Sequence, residues 1–137
     1  LVRSSAASDV YKRQVVVYEG DADTSTIVDI QFLGPVSGVK LYNTTTQTRI
    51  NINTDEIARL LGSAIKAGDR LSISSGVGDK YVKAYRDGNV YNALSALDRD
   101  SAWIFLTPGD NLITVRADSG IDNVSAIISF ENLYESI

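Results

Sequence analysis

The sequence predicts a mostly-β chain, an antiparallel β-sandwich of the jelly-roll kind carrying one short helix. Three observations predict it. Apolar residues recur with a period of two over most of the chain, as strands with one buried face require. Turn-forming residues punctuate these runs at short intervals, and a single segment breaks the pattern with helical spacing and helix-ending signals. At 137 residues there is room for one domain and one core.

In chain order, Val28, Ile30 and Phe32 alternate with Ile27, Asp29 and Gln31, and Val39 and Leu41 alternate with Lys40 and Tyr42. Ile50 and Ile52 follow, then Leu71 and Ile73, Val82 and Ala84, Ile113 and Val115, and finally Val124, Ala126, Ile128 and Phe130. That makes at least seven short strands. Between them fall Gly34-Pro35, Gly68-Asp69, Gly76 to Asp79, Asp87-Gly88, Pro108-Gly109 and Gly120. Glycine supplies positive φ and proline presets the first turn position, so each is a turn with a mechanism. Asp87-Gly88 suits a hairpin, and Pro108-Gly109 a type II turn. The helix is expected over Thr54 to Leu61: Asn53 or Thr54 caps it, Asp55 and Glu56 meet the positive end of its dipole, and Gly62 ends it. Ile57, Leu60 and Leu61 form its apolar stripe. A second helical turn is expected at Asn92 to Leu97.

Composition excludes several functions. The chain has no Cys, His or Met, which removes Cys/His zinc sites, thiol nucleophiles and every His-based catalytic device. No cofactor is expected. The balance of 13 basic and 17 acidic residues gives a net charge of −4 without a basic block, so nucleic acid is not an expected partner. No apolar run reaches the roughly 20 residues of a membrane span.

Residues 1–14 stand apart. Ser4 to Gln14 reads SSAASDVYKRQ, which resembles the conceptual translation of a transposase sequencing adapter. This reading makes residues 1–14 a non-native, disordered segment to be set aside in reasoning about the fold. It makes 15–137 the native domain, more acidic than the whole chain once Arg3, Lys12, Arg13 and Asp9 are removed.

Candidate binding residues are aromatic. Tyr42, Tyr81, Tyr85 and Tyr91 are candidates for surface contact with a glycan or a protein partner, since Tyr81 and Tyr85 alternate with the apolar Val82 and Ala84. Trp103, with Phe105 two residues on, is either a sugar-stacking platform or, by the favoured reading, a pair of core residues on one strand face. Asp21/Asp23 and Asp98/Asp100 offer hard oxygens but lack the further ligands and glycine of a calcium loop, and Asx turns account for them. Asn43-Thr44-Thr45 and Asn123-Val124-Ser125 fit the glycosylation pattern and read more simply as a polar turn and a strand start. Pairs of Asp and Glu able to serve a glycosidase are inevitable in so acidic a chain and carry no weight.

The order of features from Val15 onward resembles the C-terminal domain of siphophage tail components of the distal tail protein type. The pieces are Tyr18-Glu19-Gly20-Asp21-Ala22, the helix ending in Leu61-Gly62, Ala67-Gly68-Asp69 before Leu71 to Ser75, Gly78-Asp79-Lys80 and Arg86-Asp87-Gly88. Ser101-Ala102-Trp103, Leu106 to Asn111 and a terminal Tyr134-Glu135-Ser136-Ile137 complete the set, with Ser136 where the family has glycine. The resemblance implies a galectin-like or carbohydrate-binding-module-like sandwich that follows an N-terminal, ring-forming domain absent from this sequence. It further implies a non-enzymatic structural role in the virion at the tail tip, linking tail tube and host-adhesion device. The implied partners are tube, hub and receptor-binding or adhesion proteins, with host cytoplasm as the place of assembly. The alternative is a carbohydrate-binding module recognising a host cell-surface glycan.

Overall fold

The computed structural model describes residues 2–10, 12–76 and 78–134. Among the described residues, eleven strands form two antiparallel sheets, with one α-helix and two 3-10 turns in the connections. The strands are β1 (Val2–Val10), β2 (Arg13–Tyr18), β3 (Thr24–Phe32), β4 (Val39–Asn43), β5 (Thr48–Ile52), β6 (Arg70–Gly76), β7 (Asp79–Arg86), β8 (Asn89–Asn92), β9 (Phe105–Leu106), β10 (Gly109–Arg116) and β11 (Val124–Tyr134). The larger sheet runs β1-β11-β3-β6-β7-β8, with β9 paired to the start of β3; the smaller runs β2-β10-β4-β5. The inner faces of both sheets supply one core, from Val28, Ile30, Leu71, Ile73 and Ile128 on one side to Leu41, Ile50, Ile113 and Val16 on the other.

The expected alternation sets the faces. In β3 the inward row Thr24, Thr26, Val28, Ile30 and Phe32 is buried, and Ile27, Asp29 and Gln31 look outward. Cross-strand register carries this through the sheet, so Ser129, Ile27, Ser74 and Tyr81 share one outer row. The hairpin at Asp87-Gly88 has both central residues at positive φ, 51° and 79°, the backbone of a type I′ turn.

The helix α1 (Thr54–Leu61) sits where the sequence places it. Asn53 Oδ1 accepts from the N–H groups of Asp55 at 3.0 Å and Glu56 at 3.2 Å, and Gly62 closes the other end in the left-handed region. Buried Ile57 and Leu61 face the core. A guanidinium fixes the exit from the helix. Arg86, at the end of β7, donates to both carboxylate oxygens of Asp69, to the carbonyls of Leu61 and Ala64, and to Ser63 Oγ.

Two expectations differ from the structure. The second helical turn is shorter than expected, a 3-10 turn over Leu94–Ala96. Where the sequence predicts disorder over residues 1–14, β1 pairs with β11 in continuous register from Val2 opposite Tyr134 to Val10 opposite Ala126, and β2 begins at Arg13. Backbone N–H and C=O groups build an antiparallel ladder, so polar, small side chains do not prevent a segment from adding to an open edge. Of the resembling C-terminal motif, Glu135, Ser136 and Ile137 lie outside the described residues.

Candidate functional site

The site forms around a segment of little regular structure, Ser101 to Leu106. Ile104 and Leu106 are fully buried and take the inward positions, so the alternation turns Trp103 and Phe105 to the opposite side, where both are half-buried. This corrects the favoured reading of the pair as core. The indole packs against the edge of the core, but the inward side belongs to the two aliphatic residues between and after the aromatics.

Hydrogen bonds from several strands pin this segment. Ala102 N–H donates to the Arg49 carbonyl at 2.7 Å. Thr26 Oγ1 donates to the Ile104 carbonyl at 2.8 Å, and Ser75 Oγ lies 2.9 Å from the same oxygen. Asn43 Nδ2 donates to the Phe105 carbonyl at 2.8 Å. Thr26 and Ser75 occupy inward positions of β3 and β6 and are buried; a buried hydroxyl without a partner is costly, and the Ile104 carbonyl accepts from Thr26 while Ser75 Oγ, which accepts from Thr26 N–H at 2.9 Å, lies within reach of both the Ile104 and the Thr26 carbonyls. Side chains on three strands thus fix the backbone that presents the two rings.

The rings line a shallow hollow of about 360 Å³ with Asp23, Ser25 and Lys80 on its rim. Past Asp23 to Ser25 it continues into a second hollow of about 520 Å³, bordered by Ser74, Asp79, Ser129 and Glu131. Among the described residues, the carboxylates of Asp23 and Asp79 and the ammonium of Lys80 make no ion pair or side-chain hydrogen bond. The trough therefore offers two aromatic surfaces beside free acceptors and a free donor. Ser25 and Lys80 were not singled out as contact residues by the sequence, because only the pairing of β3 with β9 and β6, and of β6 with β7, brings them to Trp103.

The tyrosines do not converge with it. Tyr81 and Tyr85 share the outer face of β7, with Lys83 Nζ 4.3 Å from the Tyr81 ring centre and the Arg70 guanidinium 4.1 Å from that of Tyr85. Tyr42 lies on the outer face of the other sheet, with Arg116 5.7 Å from its ring centre. Tyr91 pairs with Ala84 on the inward side and packs against the core, so it is a less exposed candidate than its sequence pattern implied.

The remaining candidates serve the fold. Asp98 accepts from Asn51 Nδ2 at 2.6 Å and Ser101 Oγ at 2.8 Å; these bonds hold its carboxyl below the usual range and tie the loop to β5. No group of three or more acidic, His or Cys side chains able to hold a metal occurs among the described residues. Asn43 is fully buried, its oxygen accepting from Thr45 and Thr46 N–H in an Asx turn, which leaves no accessible amide to modify. Asn123 Nδ2 donates to the Pro35 carbonyl at 2.8 Å.

A family model described as siphovirus-type tail component, C-terminal domain, matches residues 19–134. Among solved structures, the chain is similar to the Dit (gp 19.1) protein of phage SPP1, described as a paradigm of hub adsorption apparatus in Gram-positive infecting phages. The TM-score is 0.67 at 15% identity, covering 95% of this chain and 48% of that one. It is also similar to a chain of the phage P2 baseplate in its activated conformation with Ca, at TM-score 0.50 and 12% identity, over 83% of this chain and 35% of that one. The chain thus spans about half the length of the SPP1 protein. No curated protein matches.

Proposed function

This chain belongs to the siphovirus-type tail component family, whose C-terminal domain it carries, and we propose that it joins the tail tube to the host-adhesion device at the tail tip. It is a structural component of a siphovirus tail. The observation that carries the proposal is the family match over residues 19–134 on a fold shared with a hub protein. On this reading the module acts by contact without turnover, as part of a longer protein. A preceding domain forms a homo-oligomeric ring, and tube, hub and receptor-binding proteins are the partners. The virion is its final location and the host cytoplasm its place of assembly. Residues 1–14 are, on the same reading, adapter-derived and outside the native protein.

The physical basis is a two-sheet sandwich that leaves large apolar side chains on its surface for contact: Val15 and Val17, 49% and 57% exposed on β2, Leu33 just past β3, and Val90 and Leu94 at the β8 edge. The test is location. Antibody raised against the chain is expected to label the tail tip in electron micrographs of virions from the source phage. Label on the capsid, or none on intact particles, overturns the proposal.

A further inference from the structure

We infer that the Trp103–Phe105 trough is a saccharide-binding subsite for neutral pyranose sugars, which goes beyond the structural role. Three observations carry it. Two partly buried aromatic side chains line an open hollow, on a segment whose backbone is fixed by the buried Thr26 and Ser75 hydroxyls and the Asn43 amide. Ile104 and Leu106 take the inward positions, which leaves the two rings at the edge of the core where they line the hollow. Pinning the platform before binding removes the ordering cost that weakens recognition by loops.

The rim chemistry selects the ligand. The C–H face of a pyranose is weakly positive and sits against the negative face of an aromatic ring, while its hydroxyls need donors and acceptors at the edge. Asp23 and Lys80 supply one of each beside the rings, with Ser25 between the two hollows. Asp23 and Asp79, neither of them ion-paired among the described residues, border the adjoining hollow, which disfavours sugars bearing carboxylate, phosphate or sulfate. An apolar peptide side chain would need a deep, closed pocket, and this hollow is shallow with a charged rim.

Trp103 is the sole tryptophan, so its fluorescence reports on this place alone. The full chain is titrated separately with glucose, galactose, rhamnose, N-acetylglucosamine and their disaccharides up to about 50 mM, a range set by affinities near about 1 mM for small shallow sites. A saturable emission change with at least one of them is expected, with amide NMR shifts confined to residues 23–25, 79–80 and 101–106. Trp103→Ala abolishes binding. Because that change also touches packing, the exposed Asp23→Ala and Lys80→Ala decide: each weakens binding at least about fivefold with the fold intact, and Tyr42→Ala on the opposite sheet leaves it unchanged. No saturable response to any sugar, or binding that survives both exposed substitutions, overturns the inference while leaving the tail-tip role standing.

Discussion

Removing the guanidinium of Arg86 tests the energetics of the fold at its most concentrated point. Arg86 and Asp69 are only 7% and 2% exposed, and five hydrogen bonds leave the one side chain: Nε to Asp69 Oδ1 at 2.8 Å, Nη2 to Asp69 Oδ2 at 2.5 Å, and the rest to Leu61, Ser63 and Ala64. Arg86→Ala leaves a buried carboxylate uncompensated and orphans two carbonyls at the helix exit. Breaking a buried pair from one side costs about 3–5 kcal/mol, a fall in Tm of roughly 10–15 °C for a domain of this size. Urea denaturation followed by circular dichroism measures it, and a loss under about 1 kcal/mol would refute the reasoning. The pH dependence gives a second reading. Burial alone would push the Asp69 carboxyl up, but the Arg86 hydrogen bonds and the Lys66 N–H outweigh it and hold the group below its ordinary value. A depressed folded pKa means the stabilisation is complete above the unfolded value of about 3.9 and is lost as pH falls through the folded one. The wild type is therefore expected to lose this contribution in the acid limb below about pH 4, and Asp69→Asn to lack that part of the limb. Replacing both partners, as Arg86→Met with Asp69→Leu, should recover the part of the loss that comes from the uncompensated carboxylate, while the Leu61 and Ala64 carbonyls stay without their donor.

Other consequences follow from single positions. Asn53→Ala removes the cap of α1 and should cost about 1 kcal/mol in the same denaturation assay. Gly62→Ala and Gly120→Ala both force a side chain into the left-handed region, at about 1–2 kcal/mol; Gly62 opens on free space, whereas a Cβ at Gly120 would meet the Pro35 carbonyl at 2.3 Å, so Gly120→Ala should be clearly the worse. Ile30→Ala, at the fully buried centre of β3, should cost about 2–5 kcal/mol, and Val17→Thr on the exposed face of β2 less than about 0.5 kcal/mol. A chain starting at Val15 should still fold, with a lower midpoint and a tendency to associate through the uncovered β11 edge, read by sedimentation.

Period-two patterning made the long strands legible because each has one wet and one dry face. β3, β4, β5, β7, β10 and β11 all lie where alternation put them, and α1 matched its caps at both ends. Legibility failed where side chains do not determine placement. β9 is two residues long and owes its strand character to Ser25 and Thr24 opposite it, a pairing no local window contains. β1 is the sharper case: its sequence has no apolar alternation to announce a strand, and what holds it is the register of backbone groups along β11. For the same reason its order carries no information about its origin, since a ladder of N–H and C=O groups accepts an adapter-derived segment as readily as a native one.

The trough shows the same limit with chemistry attached. Trp103 was visible as a candidate, yet strand spacing could only say that it and Phe105 share a face, and which face depends on the residues that anchor the segment. Those anchors come from distant parts of the chain: Thr26, Asn43 and Ser75 are polar residues at inward positions, where a period-two reading expects apolar ones. A buried hydroxyl in a strand must find an acceptor. For Thr26 it is the irregular Ile104 carbonyl, and Ser75 Oγ lies within reach of that oxygen as well as of the Thr26 backbone across the end of the β3–β6 ladder. Polar residues set into an otherwise apolar inward row are thus a signal that an irregular segment is being held in place, and the side chains flanking the carbonyl they bind are the ones to test for function.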